Sequence, residues 1–153
     1  MHRFFADEGG LAGGKARLCD EDARHALRVL RLRAGDVVTI FAGGAAYEAA
    51  LCDIGQDEAF VRILRELPSP EESVRVTLYQ GVPKGDKMDY IVQKCTEAGV
   101  KCIVPVNMPR CVAKLSAGDD KKLARWQRIA REAAKQAFRA EVPEIAPCVD
   151  DSA

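Results

Sequence analysis

The sequence predicts two units in a chain of 153 residues, an α+β unit over residues 1–72 and an α/β unit over residues 73–153. Short β-type segments dominate the first part, whereas the second alternates strands with amphipathic helices, so the period of the apolar residues changes from 2 to 3.6. Between the two parts lies LPSPEES at 67–73, whose prolines and serines are typical of a linker. The basic residues are also concentrated in the second part.

Several short strands and one helix are predicted in the first unit. Gly43-Gly44 is typical of a hairpin turn between the first two strands. A short helix is predicted to begin at Asp20, which can cap it, and to end before Ala-Gly-Asp at 34–36. The segments predicted to be strands are DVVTIFA (36–42), AYEAALCDI (46–54) and EAFVRILREL (58–67). Together these elements indicate a small, strongly bent sheet or barrel.

The second unit is predicted to begin with a βαβ arrangement. Its first helix should end at Gly99, because glycine is the usual residue just past a helix end. The predicted elements are strand 74–82, helix 86–100, strand 101–106, helix 119–140 and the start of a third strand at VPEIAPCVD. The two strands of a βαβ unit are parallel, so their carboxyl ends meet at one edge of the sheet.

Composition and missing motifs exclude several classes of protein. The chain has six cysteines and two histidines, but no CxxC pair, so no metal site is predicted and the cysteines are expected to be reduced. No apolar run approaches the roughly 20 residues that span a bilayer, and MHRFFADEGG lacks the apolar core of a signal peptide. Rossmann, P-loop and nucleophile-elbow motifs are absent. The glycine pairs at 9–10 and 13–14 are expected to form a flexible loop.

The charge is divided unevenly along the chain. Lys and Arg number 23, as do Asp and Glu, yet residues 84–139 carry 13 basic and 6 acidic residues, a net charge of +7. A neutral chain with one basic segment indicates a local contact with a polyanion.

Charged residues follow both predicted parallel strands. Lys84-Gly85-Asp86-Lys87 follows the first strand, and Arg110 follows the second. Ligands of open α/β sheets bind outside the carboxyl ends of the strands. Lys84, Arg110 and Arg139 are therefore expected to lie exposed along one edge. The alternative for the first loop is an ordinary charged connection with a capping aspartate.

The long predicted helix has a basic face opposite an apolar one. At 100° per residue, the apolar side includes Leu123, Trp126 and Ala130. The alternative to a binding surface is a solvated face. The basic face is formed by Lys121, Arg125, Arg128, Glu132, Lys135 and Arg139, with Gln136 at its border.

Five motifs between residues 25 and 145 resemble one known family. They are HALRVLRLRAGD, KGDKMDYIVQKCTEAGV, PRCVAK, RWQRIAREAAKQAFR and VPEI, and they occur in the family's order. On these motifs the chain resembles the RsmE family, the ribosomal RNA uridine N3-methyltransferases of the SPOUT class. The resemblance implies a PUA-like RNA-binding β-barrel over 1–72. It also implies the first half of a SPOUT (trefoil-knot) α/β methyltransferase domain over 73–153.

The activity that the resemblance implies is S-adenosylmethionine-dependent methylation of N3 of a uridine in small-subunit (16S) ribosomal RNA. Positioning can supply much of the rate of such a transfer, and an electropositive site or a base must help to remove the N3 proton. Arg110, Gln136 and Arg139 are the implied catalytic residues. Contacts with RNA are expected from Arg24, Arg28, Arg31, Arg33, Lys84, Lys87, Lys114, Arg125 and Arg128.

The sequence also departs from the family pattern. The family continues with a GPEGG strand end and an LG…ILR.ET turn that hold the cofactor, and neither occurs here. We therefore expect the cofactor-binding residues beyond residue 153, and this chain alone to be inactive. The resemblance implies that the parent protein is a homodimer that acts on small-subunit ribosomal RNA or the assembled subunit. A cytoplasmic location with no membrane partner is expected from the missing apolar span and signal peptide. The alternative is a non-catalytic RNA-binding module.

Overall fold

The computed structural model divides into two compact units, Met1–Pro70 and Glu71–Ala153. The boundary predicted from the sequence lies between residues 72 and 73, and residues 69–73 of the predicted linker lie outside the described residues. Each unit is described by itself below. The structure describes residues 1–7, 11–68, 74–110, 113–116 and 119–151.

The first unit is a five-stranded sheet that curls into a barrel. The strands are ordered β1-β3-β4-β5-β2, with β1 parallel to β3 and the other pairs antiparallel. The two outer strands meet, because the Asp7 amide donates to the Arg17 carbonyl at 3.0 Å and the Cys19 amide donates to the Phe5 carbonyl at 3.2 Å. The predicted bent sheet is thereby confirmed. The elements are β1 Arg3–Phe5, β2 Lys15–Arg17, α1 Asp20–Arg24, a π-helix His25–Val29, β3 Val37–Ala42, β4 Ala45–Ile54 and β5 Ala59–Leu67.

Alternating apolar residues of the strands fill the barrel, and the helical segment covers it with Ala23 and Ala26. The Asp22 carboxylate is fully buried and accepts the Phe5 amide at 2.7 Å, which ties α1 to β1. Gly43 and Gly44 both have positive φ, as the predicted tight hairpin requires.

Three local expectations for this unit are wrong. Cys19, not Asp20, occupies the N-cap position of α1, and the predicted single helix changes from α to π geometry at His25. Of the two glycine pairs expected in a flexible loop, Gly13 and Gly14 form a tight turn, since the Ala12 and Lys15 backbones exchange hydrogen bonds of 3.0 and 3.1 Å, whereas the pair at 9–10 lies outside the described residues. The strands β1 and β2 were not predicted, because three residues are too few to establish a period.

The second unit contains an entirely parallel sheet in the order β6-β7-β8, with β9 also pairing with β7. The predicted third strand is present as two short pieces. Ile103 of the central strand, together with Trp126 and Ala130 of the long helix, lies in the core of this unit. The elements are β6 Thr77–Gly81, α2 Lys87–Glu97, β7 Cys102–Asn107, α3 Asp120–Gln136, β8 Glu144–Ile145 and β9 Val149–Asp150.

Candidate functional site

The carboxyl ends of β6 and β7 meet at one edge of the sheet, hereafter the carboxyl edge. Gly81 lies beside Val106 in the register, so the loops that carry Lys84 and Arg110 leave the sheet together. Lys84, Lys87 and Arg110 are exposed, and among the described residues none of their side chains forms a hydrogen bond or an ion pair. Three unpaired cations beside one edge leave positive charge available to an anionic ligand.

Asn107 shapes the loop that follows β7. Its side-chain amide donates to the Leu115 carbonyl at 2.9 Å and accepts the Leu115 amide at 2.8 Å. This reciprocal pair of hydrogen bonds closes the loop and resembles a pair between two backbone strands. It also donates to Asp150 at 2.9 Å. Arg110 and Lys114 lie within this loop, and both are exposed. The sequence analysis missed Asn107, although an asparagine directly after the predicted strand 101–106 was a visible signal.

A cavity of about 340 Å³ opens between this loop and the start of α3. The Asp119 carboxylate accepts the Ser116 amide at 2.9 Å, and this hydrogen bond holds the pKa of Asp119 below its usual value. With its three carboxylates the cavity suits a cation and repels an anion. Its lining residues are Asn107, Leu115, Ser116, Asp119, Asp120, Leu123, Pro147, Cys148 and Asp150.

Asp89 joins α2 to α3. Its carboxylate accepts the indole N–H of Trp126 at 3.0 Å and forms an ion pair with Arg125. The Arg125 guanidinium also lies 4.0 Å from the Asp86 carboxylate. The guanidinium predicted to contact RNA is therefore already engaged by two carboxylates, and a phosphate would have to compete with them.

A groove of about 280 Å³ lies between the two helices. Arg128 is exposed there without a hydrogen bond or an ion pair in the part of the chain that is described. Gln136 is exposed in the same groove. Its lining residues are Gln93, Arg125, Arg128, Ile129, Glu132, Ala133 and Gln136.

The basic face of α3 does not continue to its end, contrary to the sequence-based expectation. Lys135 is 7% exposed, and its ammonium lies 2.8 Å from Glu132. The helix ends at Gln136, and the chain then turns at Phe138, whose φ is +57°. The helical spacing of exposed basic residues that was predicted for α3 therefore does not extend to Arg139.

Arg139 lies at the opposite edge from Lys84, so the expectation of one shared edge is wrong for this residue. Its Nε and Nη2 atoms lie 3.4 and 3.3 Å from the carbonyl of Glu97, the last residue of α2. The helix α2 ends a few residues before the first residue of β7, so this contact lies at the edge of the sheet where the strands begin, the amino edge. The 17 residues of α3 span about 25 Å, which separates Gln136 and Arg139 from Arg110 within one copy.

The four arginines predicted in the first unit lie in one exposed stretch. Arg24 donates to the Asp20 carbonyl at 3.2 Å, Arg28 pairs with Asp57 at 2.6 Å, and the Arg33 amide donates to Asp36 at 2.7 Å. The four exposed residues are Arg24, Arg28, Arg31 and Arg33.

Other chemistry is not evident in the described parts. Burial raises the pKa of the Cys95, Cys102 and Cys148 thiols, which keeps them protonated and slow to react. Within the described ranges, no cluster of three His, Cys, Asp or Glu side chains is arranged to hold a metal ion. No described helix is long and apolar enough to cross a membrane.

Comparison with known proteins agrees with this arrangement. A family model described as an RNA methyltransferase PUA domain matches residues 18–64, and one described as an RNA methyltransferase domain matches residues 70–152. The two units thus define the class, an RNA methyltransferase domain preceded by a PUA domain.

Individual relatives identify the family. The chain is 35% identical over 136 residues to ribosomal RNA small subunit methyltransferase E of Bacillus subtilis (strain 168), an alignment that covers 82% of this chain and 50% of the relative. It is 38% identical over 124 residues to the protein of that name from Synechocystis, with coverage of 78% and 38%. The chain belongs to the ribosomal RNA small subunit methyltransferase E (RsmE) family, as the motifs predicted. It spans about half the length of the curated relatives it matches.

Solved structures show the same fold. Ribosomal RNA small subunit methyltransferase E from Neisseria gonorrhoeae, bound to S-adenosyl methionine, has a TM-score of 0.82 at 37% identity, covering 98% of this chain and 63% of its own. A protein from Legionella pneumophila, also with bound SAM, has a TM-score of 0.82 at 30% identity, with coverage of 97% and 62%.

Proposed function

We propose that this chain is part of an enzyme that methylates N3 of a uridine in the 16S RNA of the small ribosomal subunit, with S-adenosylmethionine as methyl donor. The observation that carries the proposal is the likeness to the gonococcal methyltransferase, at 37% identity over 98% of this chain. The uridine and its N3 atom come from the motif resemblance. The cytoplasm, where ribosomes assemble, is the proposed location.

The first unit and the loops at the carboxyl edge are proposed to contact RNA. The exposed guanidinium and ammonium groups suit phosphate oxygens, and such contacts set affinity without reading sequence. Lys84, Lys87, Lys114 and Arg128 are exposed and lack a partner among the described residues, so they require no rearrangement. Arg125 has to leave Asp89 first, so we expect it to contribute less.

Arg110, Gln136 and Arg139 are proposed to act on the uridine itself. A guanidinium near the base lowers the pKa of N3–H and stabilises the anion that attacks the methyl group. Because Arg110 and Arg139 lie at opposite edges of the sheet, they can reach one uridine only if two copies combine. This requirement favours the homodimer that the resemblance implies.

The described residues do not by themselves fit the whole cofactor. The carboxylates of Asp119, Asp120 and Asp150 line the cavity at the carboxyl edge. They would attract the sulfonium and ammonium groups of S-adenosylmethionine but repel its carboxylate. We therefore assign no cofactor-binding residue among those described.

An assay with the product of the complete reading frame tests the proposed function. The protein is incubated with methyl-labelled S-adenosylmethionine and either small subunits or protein-free 16S RNA. We expect label at one uridine, identified as 3-methyluridine by mass spectrometry of RNA digests. Label on another base or another uridine atom would contradict the proposal.

The second candidate is a non-catalytic RNA-binding module, and the poor fit of the cavity to the cofactor favours it for the 153-residue chain. Calorimetry with S-adenosylmethionine distinguishes the two candidates. We expect no appreciable binding to this chain, together with measurable binding of 16S RNA fragments. Micromolar affinity for the cofactor would remove the case for a module without catalysis.

A further inference from the structure

One side chain holds together the two ends of the loop that carries Arg110. Asn107 donates from its side-chain nitrogen to the Leu115 carbonyl at 2.9 Å and accepts the Leu115 amide at 2.8 Å. The same nitrogen donates to Asp150 at 2.9 Å, and the main-chain carbonyl of Asn107 accepts the Asp151 amide at 3.1 Å. Both N–H groups and the oxygen of this side-chain amide are thus in use. Asn107 joins β7, β9 and the far end of the loop.

The two ends of the loop are also fixed by packing. Leu115 is 6% exposed and belongs to the core of the second unit. At the other end, Met108 lies against Gly81 of β6, where an added Cβ would lie 3.0 Å from the Met108 Cγ atom. The loop is therefore held both where it leaves the sheet and where it returns to the core.

Arg110 lies between these two fixed ends. Its side chain is exposed, and in the part of the chain that the structure describes it forms no hydrogen bond and no ion pair. The place of its guanidinium consequently depends on the backbone of the loop, which Asn107 closes. A reacting group held only through its backbone loses its place when that backbone gains freedom, and a displacement of about 1 Å can cost about 100-fold in rate.

We infer that Asn107 is a positioning residue for Arg110 in the methyl transfer. Its amide keeps the loop 108–114 closed, and the closed loop holds the guanidinium at the carboxyl edge. The inference rests on the proposed function, in which Arg110 acts on the uridine. Because phosphate contacts are expected from many other cations, the loss of Asn107 should slow the step at the base and leave RNA binding nearly unchanged.

Gln127 of α3 supplies a matched control for the loss of stability. Its side-chain amide makes the same reciprocal pair with a backbone, since it donates to the Pro143 carbonyl at 3.0 Å and accepts the Ile145 amide at 3.0 Å. This pair lies at β8, which runs beside the first residues of β7 and not beside its carboxyl end. Truncation of either amide leaves one backbone N–H and one C=O without that partner, but only one of the two amides closes the loop with Arg110.

The test uses the product of the complete reading frame, methyl-labelled S-adenosylmethionine, and small subunits or protein-free 16S RNA. It measures kcat and the KM for RNA, with the urea midpoint of unfolding as the measure of stability. Hydrogen exchange of the peptide that contains Leu115 reports whether the ends of the loop remain joined. The variants are Asn107→Ala, Asn107→Asp, the paired exchange of Asn107→Asp with Asp150→Asn, and Gln127→Ala.

We expect Asn107→Ala to lower kcat by about 10- to 100-fold, with the KM for RNA within about 2-fold of the wild type. Gln127→Ala should lower the urea midpoint to a similar extent but change kcat by less than about 2-fold. The peptide with Leu115 should exchange about 10-fold faster in Asn107→Ala and at the wild-type rate in Gln127→Ala.

The carboxylate variants test the hydrogen bonds themselves. Asn107→Asp cannot donate to the Leu115 carbonyl and places a second carboxylate beside Asp150, so its kcat should fall at least as far as that of Asn107→Ala. The paired exchange again sets a donor opposite an acceptor at positions 107 and 150. It should recover part of the lost kcat, whereas no recovery would contradict the link between β9 and the loop.

Failure of the inference is distinguishable from failure of the proposed function. If the wild type forms 3-methyluridine and Asn107→Ala loses no more kcat than Gln127→Ala, the inference is overturned while the proposed function stands. If the wild type forms none, the proposed function fails and the inference fails with it. Should Asn107→Ala not fold, Asn107→Ser takes its place with the same expected and contradicting results, because its shorter hydroxyl cannot reach both backbone groups of Leu115.

Discussion

The two helices of the second unit end with the same hydrogen-bond pattern but with different residues at the turn. At the end of α2, the Gly99 amide donates to the Thr96 carbonyl and the Val100 amide to the Cys95 carbonyl, both at 3.0 Å. These are the two bonds of a Schellman motif, which places one residue in the left-handed region. Gly99 takes that conformation with a φ of +91°, as the sequence predicted for a helix end.

At the end of α3, the left-handed residue is Phe138. Its amide lies 3.4 Å from the Lys135 carbonyl, and the Arg139 amide donates to the Ala134 carbonyl at 2.8 Å. Phe138 bears the left-handed strain that a glycine would avoid. A Cβ at position 99 would in addition lie 2.9 Å from the Arg139 Nη2 atom, so the end of that side chain would have to move. The comparison shows that Arg139 packs on the end of α2, where its guanidinium lies against the carbonyl of the last helical residue.

The largest effect is expected from Gly99→Ala. The substitution imposes left-handed strain and displaces the Arg139 guanidinium, so we expect a loss of about 2 to 4 kcal/mol in the free energy of unfolding, measured with urea. Gly85→Ala is the matched control, because Gly85 has a φ of +73° and a Cβ added there would meet nothing within 4 Å. It should lose only about 1 kcal/mol. Equal losses would show that the Arg139 contact does not restrict position 99.

A double-mutant cycle isolates that contact. In an Arg139→Ala background the added methyl group has no guanidinium to displace, so Gly99→Ala should lose only its strain. We expect a coupling energy of about 1 to 2 kcal/mol between the two positions. Additive losses would contradict the packing of Arg139 on Gly99.

A smaller effect is expected at Phe138. Phe138→Gly and Phe138→Ala both remove the ring, but only glycine relieves the left-handed strain. The glycine variant should therefore be more stable than the alanine variant by about 1 kcal/mol, measured by the same urea titration. If alanine were the more stable, position 138 would not hold a left-handed conformation in solution.

The smallest effect concerns the start of α3 and pH. The Ser116 amide lowers the pKa of Asp119 in the folded chain, so this carboxylate stabilises the fold above its unfolded pKa. That contribution should be lost as the pH falls below about 4, towards the lowered folded value. Asp119→Asn should reduce this part of the acid dependence of the unfolding midpoint. An unchanged acid profile would contradict the role of the Ser116 hydrogen bond.

Regular periodicity made much of the fold predictable. The strands β3, β4 and β5, both helices of the second unit and β7 were expected within a few residues of their observed bounds. The three-residue strands β1 and β2 were missed because their pairing depends on residues distant in the chain. The Gly13-Gly14 turn was missed for the same reason, because the strand that follows it, β2, has only three residues.

The site was only partly predictable, because side-chain partners depend on tertiary structure. The exposed cations Lys84 and Arg110 follow from the parallel strands, and their shared edge was expected. Arg139 was misplaced because a helical angle was extended past the turn at Phe138. The engagement of Arg125 by Asp89 joins residues 36 positions apart, and no local pattern reveals it.

The most direct test of the central claim is the 3-methyluridine content of 16S RNA in cells that lack the gene. Liquid chromatography with mass spectrometry of RNA digests measures this nucleoside and locates it in the sequence. The account predicts that one 3-methyluridine disappears, returns with the wild-type gene, and returns poorly with Arg110→Ala. Full retention of 3-methyluridine in the cells without the gene would contradict the account.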